Sequence, residues 1–384
     1  MKIAIFTDSF LPGVGGTENA VLGLATELSK NHEVAVFCPE YKTNDNNFSF
    51  KVVRCKSIKI SGNETFPLPK FSPKFNKEVK KFAPDIVHIQ SISGVANAGL
   101  RYALKHKLPT LFTVHTKFRE AFKRGLKFNW LTNFYINLVA NRINKSNLCC
   151  TVCKSMVKEV ASYGKRKEEN LPCQNAMVIR NGMVFERETL SEEVKNLAKD
   201  KYGLDKVETT FLFVGRIIAL KNIDLIFETL KAMRDENFKM IFVGIGADIS
   251  HYQKLAVKEK LDDKIIFTGK IPSDELKSLY YNADLFLFPS IFDNDPLVIT
   301  EAALFNTPSI TLAGTGSSER ITHNHNGFIA KDEDDFVEMT KLLSKDKEKL
   351  RICGENAERE IPKNWEEVAK EYLQIYENLI KAGK

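Results

Sequence analysis

The 384-residue sequence predicts an α/β protein built from two successive Rossmann-like, doubly wound domains. Three observations carry this reading. Short apolar runs alternate with stretches of helical periodicity, the pattern of parallel strands joined by crossover helices. Several runs lead straight into glycine-rich or cationic loops, as KIAIFT does into DSFLPGVGG and FLFV into Gly215-Arg216. The pattern also begins twice, at Lys2 and again at Thr210, with the polar stretch Glu186–Lys201 read as the connection.

Lys2–Thr7 is the first strand, and Ala20, Val21, Leu24, Ala25 and Leu28 predict a helix over Thr17–Lys30. The intervening glycines do not spell GxGxxG, which argues against a dinucleotide. Gly15-Gly16 would either let backbone amides approach a phosphate or sugar or form a plain tight turn. Strands follow at Val34–Cys38, Lys51–Cys55, Ile86–Ile89, Thr110–Val114 and Leu148–Val152, and Asn181-Gly182 is a turn pair. His115 lies just past its strand and could face a ligand crevice, whereas His88, inside its strand, is expected to be packed. The second series comprises strands Thr210–Val214, Met240–Val243, Ile265–Thr268, Asp284–Pro289 and Ser309–Leu312. Helices are expected at His251–Lys260, Ser273–Asn282, Asp334–Leu343 and Trp365–Ile380.

Composition narrows the class. Hydrophobic content of 43% and charge of 27% suit a globular protein. No apolar run approaches the ~20 residues that span a bilayer, and Ile3–Phe6 is too short for a signal peptide, so a cytoplasmic protein is expected. Seven cysteines, an odd count, are not a disulfide framework. Cys150 and Cys153 form a CxxC beside Cys149, with no second pair or histidines to complete a zinc site, so buried thiols are expected. Residues 1–180 carry 28 Lys and Arg against 13 Asp and Glu, a net +15; the remainder carries 28 against 36, a net −8. Eight cations and one anion fall within residues 101–127, where Phe118, Phe122, Phe128, Trp130, Phe134 and Tyr135 interleave or follow. An anionic membrane interface suits that mixture. Nucleic acid is not favoured, since no binding motif accompanies the patch, and a solvated basic helix face is the alternative.

The chemistry is expected in Ser290–Pro308, SIFDNDPLVITEAALFNTP. Asp293, Asn294 and Asp295 can each cap a helix that Pro296 would open and Asn306 and Pro308 would stop. An apolar strand thus feeds a turn of carboxylates and a helix whose N-terminal amides favour an anion. Arg216 and Lys221, just past the Thr210–Val214 strand, supply two cations for a diphosphate. With Glu301 to hold ribose hydroxyls, these residues describe a nucleotide-diphosphate pocket.

The set resembles the retaining glycosyltransferase family four, of GT-B fold, which includes sucrose and trehalose-type synthases and bacterial capsule, mannosyl and lipid glucosyl transferases. The matching pieces are Gly15-Gly16-Thr17-Glu18, His115, Asn181-Gly182, Val214-Gly215-Arg216 with Lys221-Asn222, Gly244–Gly246, Asp293 with Glu301, and Ser318-Glu319 before Asn326-Gly327-Phe328. The resemblance implies two Rossmann-like domains facing across a cleft. An acceptor domain would span 1–180 and a donor domain 181–362, with a C-terminal helix at 363–384 packing back on the first. It implies that Arg216 and Lys221, with amides of Leu297 and Val298, bind the donor diphosphate, that Glu301 holds ribose, and that Asp293 contacts sugar hydroxyls. By the same resemblance Gly244 would belong to the nucleotide-sugar site, and Gly15, Gly16 and His115 would approach from the first domain. Asp293 stands where the family usually has glutamate, and Asn294-Asp295-Pro296 where it usually has a Phe-Gly pair. The implied reaction moves a UDP-linked hexose, with retention and without cofactor or metal, to a membrane-associated acceptor such as a glycolipid or lipid-linked saccharide. The enzyme would sit peripherally on the inner face of the cell membrane. An inactive partner protein, or an epimerase or phosphorylase on the same fold, is the alternative.

Overall fold

Parallel strands form the centre of both halves of the chain. A computed structural model describes residues 1–13, 15–42, 47–61, 64–125, 128–163, 171–183, 185 and 189–383. The chain divides into two units, Met1–Gly182 with Asn364–Lys384, and Met183–Lys363.

The first unit runs β1 (Lys2–Phe6), α1 (Gly16–Ser29), β2 (Glu33–Pro39), β3 (Lys51–Cys55), the hairpin β4 (Ser57–Ser61) and β5 (Glu64–Pro67), α2 (Pro73–Phe82), β6 (Ile86–Ile89), α3 (Gly94–His106), β7 (Thr110–Val114), α4 (Phe118–Gly125), α5 (Asn129–Ile143), β8 (Leu148–Thr151), α6 (Lys154–Ala161) and β9 (Met177–Val178). Its sheet has the order β3-β2-β1-β6-β7-β8-β9 and is parallel throughout. Residues alternate between two core clusters: Ala4 and Phe6 pack with α2, α3 and α5, and Ile3 and Ile5 pack with α1. Burial on both faces is why these strands read as continuous apolar runs.

The second unit runs α7 (Glu192–Tyr202), β10 (Thr209–Val214), α8 (Ile223–Ala232), β11 (Phe238–Val243), α9 (Ile249–Lys258), β12 (Ile265–Gly269), α10 (Ser273–Asn282), β13 (Leu285–Phe288), α11 (Leu297–Leu304), β14 (Ser309–Leu312), β15 (Phe328–Ala330), α12 (Glu333–Leu343) and α13 (Lys347–Glu360). Its parallel sheet has the order β12-β11-β10-β13-β14-β15. The chain then enters α14 (Trp365–Ala382), which Asn364 and Glu367 open with a capping box. Val368, Ala369, Tyr372, Ile375 and Tyr376 of α14 are buried in the first unit's core with Val21, Leu24 and Leu28 of α1.

Two expectations change. The polar stretch Glu186–Lys201 is not simply a connection: residues 186–188 lie outside the described set, but from Glu192 it is α7, capped by Ser191 and stopped by left-handed Gly203. Ser278 of α10 accepts from the Ala198 amide, so α7 is part of the second unit rather than a linker. The basic and aromatic stretch is also not one amphipathic element. Arg101 and Lys105 lie on α3, Lys117 and Arg119 lie at α4, and all of β7 separates them; Leu126 and Lys127 lie outside the described residues.

Trp365 is seated in a slot made by two glycines. A Cβ at Gly23 would lie 2.1 Å from its ring, and one at Gly182 would lie 2.7 Å away. In a Trp130→Phe background, which leaves Trp365 as the single tryptophan, Gly23→Ala is expected to displace the ring. The overpacking should cost about 1–3 kcal/mol in urea unfolding and shift the emission to the red. An unchanged spectrum and midpoint would remove the slot from the account.

Candidate active site

The second sheet reverses its direction of growth between β10 and β13: β11 and β12 lie on one side of that point, β14 and β15 on the other. Such switch points leave a crevice at the carboxyl ends of the strands. Arg216 and Lys221 follow β10 there, and Asp293 follows β13.

Close backbone contacts fix the β10 loop. Gly244 has φ 133°, and a Cβ on it would lie 1.9 Å from the Gly215 carbonyl oxygen. A Cβ on Gly246 would lie 1.9 Å from that of Ile217. Only glycine allows the β11 loop to lie this close against the β10 loop. The Ala219 amide donates to Asp248 Oδ2 at 2.8 Å. A single 3₁₀ turn, Ala219–Lys221, then ends at Asn222 in the left-handed region, φ 54°. Arg216 is exposed at this loop, while Lys221 turns inward, its side chain 14% exposed.

Lys221 reaches Asp293. Its Nζ lies 2.7 and 2.6 Å from the two carboxylate oxygens, and Ser290 Oγ donates to Oδ2 at 2.5 Å. The same ammonium lies 5.5 Å from the centre of the Phe288 ring. The phosphate-binding cation and the sugar-binding carboxylate expected from sequence therefore form one ion pair.

The cap expected at Asp293–Asp295 is not formed. Pro296 is itself the N-cap, with extended backbone, α11 begins at Leu297, and no side chain caps it. Asp295 instead accepts two bonds from Arg320, 2.6 Å from Nε and 2.7 Å from Nη2. The two side chains are 0% and 4% exposed, and Arg320 also donates to the Ile361 carbonyl. On the other side of the loop, a Cβ on Gly316 would lie 2.0 Å from the Asn294 carbonyl oxygen. Neither Arg320 nor Gly316 was expected at the site, because nothing in linear spacing ties them to residues 294 and 295.

Glu301 lies inside α11 with Leu297 and Val298 one turn ahead of it. It is buried, and Tyr280 Oη donates to its Oε2 at 2.8 Å. Burial pushes its carboxyl up to about 7, against the lowering effect of the Tyr280 bond. The ribose ligand expected from sequence is thus a desolvated carboxyl already holding one hydroxyl.

The remaining candidates belong to the first unit. Gly15 is the extended N-cap of α1, and Gly16 opens that helix with nothing within 4 Å of where its Cβ would be. The loop after β1 sends Asp8 to the start of α3, where Oδ1 accepts from Val95 at 2.7 Å and Oδ2 from Ser93 at 2.5 Å. His115 follows β7, and its Nε2 lies 2.5 Å from Gln90 Oε1 at the end of β6. His88 is packed, as its place inside a strand predicts. Neither Asp8 nor Gln90 stood out in the sequence, since isolated polar residues carry no pattern.

All seven cysteines are buried and unpaired by disulfides, and burial pushes those at 38, 55, 150 and 173 up to about 12. Among the described residues no group of three His, Cys, Asp or Glu could hold a metal ion, and no helix is long and apolar enough to cross a membrane.

A profile described as Glycosyltransferase Family 4 matches residues 14–187, and one described as Glycosyl transferases group 1 matches residues 194–360. The chain belongs to glycosyltransferase family 4. Its relatives include two alpha-monoglucosyldiacylglycerol synthases. That of Acholeplasma laidlawii is 25% identical over 99% of this chain and 98% of its own length, and that of Streptococcus pneumoniae is 25% identical over 81% and 70%. Two solved structures share the architecture of this family-4 enzyme, that of GT-B glycosyltransferases. Sucrose-phosphate synthase from Thermosynechococcus elongatus superposes with a TM-score of 0.81 at 18% identity, covering 99% of each chain. HepE from Anabaena, solved with UDP-glucose, gives 0.76 at 15% identity, covering 98% of this chain and all of that one.

Two outcomes test the geometry of this glycosyltransferase. Arg320→Met leaves a buried carboxylate without its partner, which should cost about 3–5 kcal/mol in the unfolding of the second unit. Adding Asp295→Leu should recover part of it, and a loss below ~1 kcal/mol would show that the pair does not hold the loop. Glu301 predicts a pH dependence. Its folded pKa lies above the ordinary carboxylate value, so ionisation penalises the folded state. The penalty is absent below about pH 4.5, grows up to about pH 7 and stays constant above. Glu301→Gln should therefore gain stability relative to the parent chain between pH 5 and 8, by on the order of 3 kcal/mol; a constant difference would contradict the burial argument.

Proposed function

We propose that this family-4 glycosyltransferase moves a hexose, with retention of configuration, from a nucleoside diphosphate donor, UDP by preference, to a lipid-linked acceptor at an anionic membrane surface. The observation that carries the proposal is the grouping of Arg216, the Lys221–Asp293 pair and the uncapped start of α11 at one sheet switch point. A lysine ammonium has three donors. Two face Asp293, so the third is left for a phosphate oxygen, and a single cation can link the sugar-binding carboxylate to the leaving group. Arg216 supplies the second positive charge, and the amides of Leu297 and Val298 add the partial charge of the helix start.

The reaction needs no separate protein nucleophile. As the bond from the anomeric carbon to the diphosphate breaks, charge builds on the leaving oxygen, where Arg216 and Lys221 stabilise it. The acceptor hydroxyl gives its proton to that oxygen and closes on the anomeric carbon from the same face. His115, Gly15 and Gly16 are assigned to the donor from the first unit, as family membership suggests. We propose that these cations, with no divalent ion, carry the electrostatic load.

The lipid acceptor rests on the two relatives being monoglucosyldiacylglycerol synthases and on one surface. On α5 the Thr132, Ile136, Val139 and Ala140 side faces the core, while Trp130 is 67% exposed and Phe134 52%. Lys123 is exposed on the adjacent α4. Arg119 contributes less than sequence suggests, since it is engaged with Asn133 and the Ser162 carbonyl.

Losing a charge-assisted phosphate contact should weaken UDP binding more than tenfold, about 1.5–3 kcal/mol, in each of Arg216→Ala and Lys221→Ala. Release of nucleoside diphosphate should require acceptor and survive EDTA. The enzyme should also co-sediment with anionic vesicles and not zwitterionic ones, less so in Trp130→Ser/Phe134→Ser and in Lys117→Glu/Lys123→Glu. Unchanged UDP affinity in both cation variants would sink the pocket; absence of vesicle binding would leave the pocket and redirect the acceptor to a soluble sugar.

A further inference from the structure

A continuous chain of polar side chains links α14 to His115 within the first unit. Tyr376 Oη lies 2.7 Å from His88 Nδ1, and His88 Nε2 lies 2.8 Å from Thr113 Oγ1 and 3.1 Å from Gln90 Nε2. Gln90 Oε1 then meets His115 Nε2 at 2.5 Å, and Tyr372 Oη lies 3.3 Å from Thr113 Oγ1. Tyr376, His88 and Thr113 are fully buried, and Gln90 is 4% exposed.

The chemistry of each group fixes the direction of the bonds. Burial, helped by the charge of His115, pulls His88 down to about 3, so its ring is neutral with one N–H and one lone pair. The Gln90 amide nitrogen can only donate, and it lies nearer to His88 Nε2, at 3.1 Å, than to Nδ1, at 3.4 Å, so Nε2 is read as the lone pair, to which Thr113 Oγ1 also donates. The ring proton is then on Nδ1 and goes to Tyr376 Oη. At the other end of the amide, Gln90 Oε1 can only accept, so His115 must carry a proton on Nε2. Both ring nitrogens of His88 and both ends of the Gln90 amide thus have partners.

We propose that Gln90 is a positioning residue that holds His115 as the Nε2–H tautomer, and that Tyr376, delivered by the returning C-terminal helix, keeps Gln90 in that role through His88. The inference rests on the reading of His115 as an active-site residue and adds what prepares it. It also makes α14 part of the catalytic apparatus without touching the substrate.

Nitrogen-resolved NMR of the histidines in the full chain tests it, with thermal unfolding confirming that each variant is folded. His115 should show a protonated Nε2 in the neutral ring. In Gln90→Glu, a carboxylate facing that N–H should raise the His115 pKa by about 1–3 units, and the limb of the pH–rate profile that follows His115 should move with it. Gln90→Leu should lower kcat about tenfold or more with little change in the donor KM, and Tyr376→Phe should change kcat in the same direction. A neutral His115 protonated on Nδ1, or a pKa unmoved in Gln90→Glu, overturns the proposal. His115→Ala separates the two readings: full activity there would dismiss His115 from the reaction, whereas the NMR result judges the network by itself.

Discussion

Arg320 and Asp295 form a two-pronged ion pair out of contact with water, and the loop between β13 and α11 depends on it. Two charges buried together are tolerated only when both are satisfied, because either one alone would carry its whole desolvation penalty. Here the fork geometry of the guanidinium matches the carboxylate, and a further bond to the Ile361 carbonyl ties in the end of the second unit. With Asp295 held there and the Asn294 carbonyl pressed against Gly316, the position of Asp293 follows. Lys221 then takes the place Asp293 gives it. The electrostatics of the candidate pocket thus descend from a buried pair whose Asp295 stands two positions after Asp293.

The two units use helix starts differently. At the switch point of the first sheet, Asp8 supplies the negative charge that the α3 amides favour. At the switch point of the second, the α11 start has no side-chain cap, and the nearest acidic residues, Asp293 and Asp295, are each committed to a cation. A helix whose own acids are neutralised retains the capacity to receive an external anion. This difference suits a donor phosphate on the second unit better than on the first.

The C-terminal segment shows how packing and chemistry share one element. α14 completes the apolar layer against α1, with Trp365 lodged between glycines at 23 and 182. The same helix carries Tyr372 and Tyr376 to His88. Burying a histidine that deeply requires partners for both ring nitrogens, and the fold takes one of them from nearly three hundred residues away in sequence.

What the sequence determined by itself was periodic or local. Apolar runs gave the strands, among them Ile86–Ile89 and Thr110–Val114 at their observed bounds, since a strand buried on both faces leaves an unmistakable run. Gly244, Lys221 and Asp293 were legible as candidates because loops at strand ends are where charged and glycine residues interrupt that run, and Glu301 because it follows in the helix after such a loop. Tertiary structure decided the rest. Whether Asp295 caps a helix or pairs with an arginine depends on which partner comes within reach, and Arg320 arrives only through β14 and the turn after it. Whether Glu301 is an open carboxylate or one held by Tyr280 depends on how α10 packs on α11. Gln90, Tyr376 and Asp8 have no sequence signature at all, because a hydrogen bond needs a few ångströms of proximity that only the folded chain supplies.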